Sequence, residues 1–507
     1  MSLMKERWFN YRPICLVFAF LLLGSVFSFF VVKEIVFTLI ITILILSLFI
    51  LLAVYKKSLK YILIPLIAFT VGVGLYYNSI YNFEKAIDYT PKTIEARIYN
   101  VSNEKNRMIA VECDDCKFNK TKQNSNIILY IYDNEGLFKD IHVGSVIKFS
   151  PLKFYKTDLF YHYLPNTKAY SNNLKYTATV EIDNITYIKT DKNFDEIVKD
   201  KVKDNLYLGL TNENAELAYS ALFGDKDLLP EKQYDVFKLS GVAHLLAVSG
   251  LHVGIIVGIL NYIFKKCKIK KWYKFAIIAI FLLLYMHICG YSVSIIRASI
   301  MSLILLLANI LGKEYDSFTS ISIAGIIIFL INPLCVFDVA FLLSFSCVIG
   351  ITMLYRPIKK TLTKTKLPNK LVDSVSISLA TTISIVFIMA FYFKTLNIIS
   401  IIANVILIPI FTFGFVVVFV CAMLSLILPY VAYLLYPVNY IFEFLSLLAT
   451  IFANLSISNF NTLEFNYIAI VLYFILLLFV GRFCTAKYQY KIFVTLPMVA
   501  LLFYCLV

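Results

Sequence analysis

Long apolar runs parted by short polar loops take up most of the chain, each about 17 to 25 residues long, the length a helix needs to cross roughly 30 Å of hydrocarbon. Three of them, at 14–32, 35–55 and 59–80, precede a long polar stretch. The others follow it, at 240–264, 275–290, 292–311, 317–331, 334–354, 374–393, 396–428, 431–453, 465–481 and 493–507. Counting each as one crossing gives about thirteen spans. The run at 396–428 exceeds one span and reads either as a single tilted helix or as a re-entrant pair around Pro409.

Between the third and fourth runs the period changes. Residues 93–101, 108–113, 126–132, 145–149 and 176–188 read as strands, several alternating apolar with polar positions. Five short strands in about 125 residues fit a small β-barrel of the OB kind. From Asn205 to Lys238, Leu217, Ala221, Leu222, Val236 and Leu239 recur at helical spacing, which suggests amphipathic helices at the membrane surface. The expected fold is therefore a polytopic α-helical membrane protein with an inserted, OB-like β-barrel. Its parts are N-terminal helices at 1–80, the β-rich domain at 81–205, interfacial helices at 206–239 and a transmembrane core at 240–507.

Composition agrees: 60% of the 507 residues are hydrophobic and 16% charged, with mean hydropathy +0.78, whereas soluble domains run nearer a quarter charged. The net charge of +15 changes the picture only through where it lies. Lys265, Lys266, Lys268, Lys270, Lys271 and Lys274 fall in one short loop, and Arg356, Lys359, Lys360, Lys364, Lys366 and Lys370 in another. Basic loops mark the cytoplasmic side. With Lys5, Arg7 and Arg12 inside, the first run reads as a retained anchor, the N-terminus as cytoplasmic and residues 81–239 as extracellular. The same count puts the loop of Arg482, Lys487 and Lys491 inside.

Within the β-rich domain, Lys153, Tyr155, Lys156, Tyr161 and Tyr163 interleave cations with aromatic rings, the residue types that track phosphates and stack bases, so they are candidate strand contacts. Against this, residues 81–205 hold 19 Lys or Arg and 18 Asp or Glu, a nearly neutral balance. Cys113 and Cys116 flank Asp114-Asp115, expected to be a turn, and are a disulfide candidate outside the cytoplasm. The other cysteines are scattered. No second CxxC completes a zinc site, no cofactor motif is found, and there is no GxxxxGK[ST] phosphate loop.

The distinctive chemistry at membrane depth is the string His244-Leu-Leu-Ala-Val-Ser249-Gly250-Leu-His252-Val253-Gly254. Gly250, Gly254 and Gly258 recur every four residues and suggest close helix approach. On one regular helix His244 and His252 would stand about 80° apart and could border a single aqueous cavity. Arg297 lies in an apolar run, where a guanidinium needs a partner or water, with Asp338 one candidate. Glu443 is a further intramembrane charge.

This string resembles the signature of the ComEC competence family. Ala221-Leu-Phe-Gly224-Asp225 before it, and Ser294-Ile-Ile-Arg297, Asn332-Pro333 through Asp338 to Ser344-Phe345, and Leu396-Asn397-Ile-Ile-Ser400 through Asn404 to Pro409 after it, match in order over about 200 residues. The resemblance implies a membrane channel that passes one DNA strand inward. It also implies an external DNA receptor and a cytoplasmic ATPase or helicase as partners. His244, Ser249, Gly250, His252, Arg297, Asp338, Ser344 and Asn404 would border the path. Many family members carry a metallo-β-lactamase-like domain with an HxHxDH cluster. The five histidines here are not so arranged, so a separate nuclease is expected if one acts, and the chain is expected not to be an enzyme.

Other readings compete. Ser249 with His252 or His287 can be read as an intramembrane serine hydrolase dyad. His244 with His252 can be read as a metal site, and the architecture also suits export of another polymer.

Overall fold

A computed structural model of the chain describes residues 12–33, 60–85, 89–103, 108–132, 143–161, 164–190, 192–226, 228–455 and 460–461. The spans expected at 35–55, 465–481 and 493–507 lie outside the described residues, as do Tyr163 and the side chain of Tyr161. The chain divides into two compact units, one holding residues 16–201 and 326–338, the other residues 1–15, 202–325 and 339–507.

The first unit combines two apolar helices with a sheet. Helix α1 (Pro13–Lys33) and helix α2 (Lys60–Glu84) meet at Gly24 and Gly72, where an added Cβ would overlap the facing backbone carbonyl of Phe69 or Leu21. Small residues permit this approach where lipid supplies no hydrophobic drive between helices.

The sheet is built from β1 (Ile94–Asn103), β2 (Met108–Phe118), β3 (Thr121–Lys122), β4 (Asn126–Tyr132), β5 (Ser145–Phe149), β6 (Lys153–Lys156), β9 (Leu174–Glu181) and β10 (Ile185–Thr190), with a separate β7 (Phe160–Tyr161) and β8 (Leu164–Pro165) pair. Its pairings run β10-β5-β1-β2-β4-β9-β6, antiparallel except for β4 with β9. Ile94, Ile98, Val111, Phe118, Leu129 and Tyr176 are among the side chains of its apolar core. A short helix α3 (Thr167–Ser171) is capped by Asn166, whose Oδ1 accepts from Ala169 N.

Two strands differ from the sequence expectation. The turn expected at Asp114-Asp115 is a β-bulge: Asp115 has φ 47°, pairing shifts register beside it, and β2 continues to Phe118. The extra residue lets Cys113 and Cys116, three apart, both point into the core. The reversal comes at Asn119-Lys120, both with positive φ, as a two-residue hairpin requires. The strand expected at 176–188 is two strands, broken by a 3-10 turn at Ile182–Asn184. Because β9 and β10 follow each other directly, the pairings from β5 through β1, β2 and β4 to β9 return through β10 to β5.

The second unit is helical. It contains the second half of α4 (Phe194–Gly209), then α5 (Asn212–Phe223), α6 (Glu231–Leu239), α7 (Gly250–Lys266), α8 (Lys271–Ile288), α9 (Val293–Leu311), the start of α10 (Ser317–Ile331), α11 (Val339–Leu362), α12 (Asn369–Phe393), α13 (Ser400–Ser425) and α14 (Val438–Ala453). Among the described residues six helices of the chain are long and apolar enough to cross a membrane, and seven if the 3-10 helix Pro429–Leu435 and α14, bent by 44°, count as one span. The 396–428 run is a single helix through Pro409. The expected span at 240–264 is not one helix. A 3-10 turn at Ala243–Leu245 precedes α7, which begins at Gly250.

Candidate transport site

Several of the strings that match in order along the sequence meet around the loop that enters α7. Gly241, with φ 79°, leaves no room for a side chain, since a Cβ would lie 3.1 Å from Asn397 Cγ and overlap Ser400. Asn397 Nδ2 donates to Leu239 O at 2.6 Å, and Asn397 Oδ1 accepts from Ser400 N at 3.0 Å. From the other side Ser220 Oγ donates to Leu246 O at 3.0 Å, while Tyr285 OH donates to Leu222 O at 2.7 Å. Ser220 and Tyr285 carry no sequence signal of their own. Their role follows from tertiary placement.

Ser249 is the N-cap of α7. Its Oγ accepts from Leu251 N at 3.2 Å, and its N–H donates to His252 Nδ1 at 3.1 Å, the return leg of a capping box. The 3.0 Å between Ser249 Oγ and His252 Nδ1 belongs to this cap. Nδ1 being the acceptor, the ring proton sits on Nε2, which has no hydrogen-bond partner among the described residues. His252 is fully buried, edge-on to Phe411 at 5.4 Å and Phe415 at 4.6 Å, two rings one turn apart on α13. His244 stands on the 3-10 turn with its side chain exposed. The 80° relation of the two imidazoles on one helix therefore does not apply.

Gly250 meets α9. A Cβ there would stand 2.8 Å from Arg297 Nη2 and 3.7 Å from Ala298 Cβ, so the absent side chain is what admits the guanidinium. Gly254 and Gly258 have no neighbour within 4 Å of that position among the described residues, contrary to the expected close helix contact. Arg297 is buried, and among the described residues it forms no ion pair and its Nε has no hydrogen-bond partner. Asp338, weighed as its partner, belongs to the other unit, where it accepts from Thr167 Oγ1 at 3.2 Å. Ser344 Oγ accepts from Ser294 Oγ at 3.0 Å, joining α11 to α9. Ser299 Oγ and Asn404 Oδ1 are buried without partners among the described residues. Glu443 is exposed on α14.

In the sheet unit, β6 is an edge strand paired only to β9. Lys153, Tyr155 and Lys156 are exposed on it, whereas Phe154 turns inward to stack on Tyr176 at 5.1 Å. Cys113 and Cys116 are free thiols, both fully buried, and burial raises both pKa values, that of Cys116 to about 12. Glu112 is buried too. Burial alone would raise its pKa, but the Lys168 ammonium at 2.6 Å, with hydrogen bonds from Tyr99 and Asn100, leaves it below the ordinary 4.5. Arg97 holds Asp114 through two bonds, at 2.9 and 2.5 Å, and Glu196 of α4 at 3.1 Å. Among the described residues no three His, Cys, Asp or Glu side chains are placed to hold a metal ion.

Residues 221–487, just over half the chain, match the family described as Competence protein. ComE operon protein 3 of Bacillus subtilis (strain 168) is 27% identical over 207 residues, 40% of this chain and 26% of that protein. Recombination protein 2 of Haemophilus influenzae (strain ATCC 51907 / DSM 11121 / KW20 / Rd) is 25% identical over 147 residues, 28% of this chain and 19% of that protein. The match thus spans about a quarter or less of the length of these relatives. No solved structure matches the chain.

Proposed function

The chain belongs to the competence protein (ComEC) family, and on that premise we propose that it is a membrane channel passing single-stranded DNA inward during transformation. The observation that carries this reading is Arg297 with its neighbours. Among the described residues, a buried guanidinium whose Nε has no partner stands against Gly250 in an apolar bundle that also holds unpartnered polar atoms of His252, Ser299 and Asn404. Buried polar groups left without protein partners are normally met by water, and a conduit for phosphates needs water and donors along its wall. We place Arg297, Gly250, Ser249 and the exposed His244 on that wall, with Ser344 and Asn404 behind it and His252 holding the entry of α7.

In this reading the N-terminus is cytoplasmic and the sheet unit external. The unit is an OB-like barrel, supported by strand pairings that return from β9 through β10 to β5 and by the parallel β4 and β9 pair. The edge of β6, with Lys153, Tyr155 and Lys156, touches the arriving strand weakly. An external receptor delivers DNA, a cytoplasmic ATPase or helicase draws it in, and any degradation of the second strand falls to a separate nuclease.

A cysteine replacing Ser249 in a variant without the native cysteines tests the wall. It should react with small water-soluble thiol reagents, and His244→Ala should insert normally while lowering DNA uptake. An inert thiol together with normal uptake would move the path elsewhere.

A further inference from the structure

The turn from α7 into α8 carries six lysines, which a rule about loop orientation explains in number but not in arrangement. They divide in the structure. Lys265, Lys271 and Lys274 line a cavity of about 260 Å³ together with Asn261 of α7 and Asn309 of α9, while Lys266, Lys268 and Lys270 do not. Lys274 Nζ donates to Asn261 Oδ1 at 2.7 Å, and among the described residues no carboxylate forms an ion pair with any of the three lysines lining the cavity. Lys271 and Lys274 also stand in the first turn of α8, which has no acidic residue. The partial positive charge of a helix start repels cations, so an anion in this cavity would be favoured by the three lysines that line it.

The rest of the lining is apolar: Phe275, Leu306 and Ile310. Around it Tyr262, Trp272 and Tyr273 are 62%, 59% and 66% exposed, and such rings settle at the headgroup level of a bilayer. A nucleic-acid phosphate would bring polar sugars to the apolar side of this cavity. A phospholipid brings a phosphate to the lysines and an acyl chain to the wall.

We propose that this cavity binds the headgroup of an anionic phospholipid, with its phosphate held by Lys265, Lys271 and Lys274, the amides of Asn261 and Asn309 on its glycerol, and an acyl chain along Phe275, Leu306 and Ile310. Basic pockets between membrane helices recognise such headgroups. The site does not depend on what the channel carries.

The test uses the full chain in mixed micelles of phosphatidylglycerol and phosphatidylcholine, with retained lipid measured by mass spectrometry after gel filtration. Wild type should retain phosphatidylglycerol over phosphatidylcholine by at least about tenfold, because the lysines favour a net anionic headgroup. The triple variant K265Q/K271Q/K274Q should lose that preference. The variant K266Q/K268Q/K270Q, which removes the same charge from the same turn, should keep it. No preference in wild type would overturn the site, a reading independent of any variant's folding. So would equal loss in both triple variants, or release of phosphatidylglycerol by a single-stranded oligonucleotide, which would assign the cavity to nucleic acid.

Discussion

Gly250 and Arg297 act as one device, because the hydrogen of the first is the space that the guanidinium of the second occupies. Gly250→Ala should displace Arg297 and lower DNA uptake by at least about tenfold, the equivalent of ~1.4 kcal/mol. Gly254→Ala and Gly258→Ala, which meet open space among the described residues, should leave uptake near wild type. Transformation frequency at matched expression decides between them. Arg297 was legible in the sequence, since an isolated cation in an apolar run is conspicuous. Its contact with Gly250 was not, because equal glycine spacing made three positions look alike and only the approach of α9 separates them. In the sheet unit, Glu112 has a folded pKa below its unfolded value. Its contribution to stability is therefore present above the unfolded value near 4.5 and lost as pH falls through the lower folded value. Glu112→Gln should weaken the sheet by about 1–3 kcal/mol at neutral pH. Hydrogen exchange of the β1 and β2 amides should show that difference shrinking on acidification.

At the scale of elements, the start of α7 is where sequence and structure part. A continuous apolar run suggested one helix from Ser240, yet Ser249 and His252 carry the spacing of a capping box, with imidazole in place of the usual Glu or Gln. The pattern is present in the sequence, but the same polar residues also suit a water-lined path. Ser249→Ala should cost about 1 kcal/mol of stability through the lost cap, while Ser249→Asn, which can cap, should hold both thermal stability and uptake near wild type. A hydrolase dyad would instead lose all function in the Asn variant and would label with a fluorophosphonate in the wild type. The β2 hairpin gives a second case. The Asp-Asp pair looked like a turn because acidic residues favour turns, but the core needed both cysteines inside, so the strand bulged and turned later. Lys120 has φ 73° in that turn, a conformation that costs a residue with Cβ about 1–2 kcal/mol. Lys120→Gly, creating an Asn-Gly pair, should raise the melting temperature of the protein.

For the whole molecule, the division into apolar helices and a β-rich insertion was legible because the period of the hydrophobic pattern changes from helical to alternating within a few residues. The gathering of distant strings around one loop was not, since bonds such as Asn397 to Leu239 and Tyr285 to Leu222 join positions with no sequence relation. That gathering is what the proposed transport site rests on. The burial of Cys113 and Cys116 also matters at this scale, because an impermeant thiol reagent would not reach them in the folded unit, and the sidedness of the sheet is better tested at exposed Lys153 or Lys156. The central claim, that the helical core conducts a DNA strand inward, is tested by following end-labelled duplex DNA in cells whose own copy of the gene is deleted. Deletion should leave surface-bound label in place and abolish nuclease-protected single-stranded label. The wild-type gene should restore protection and Arg297→Ala should not, whereas undiminished protected DNA in the deletion strain would contradict the account.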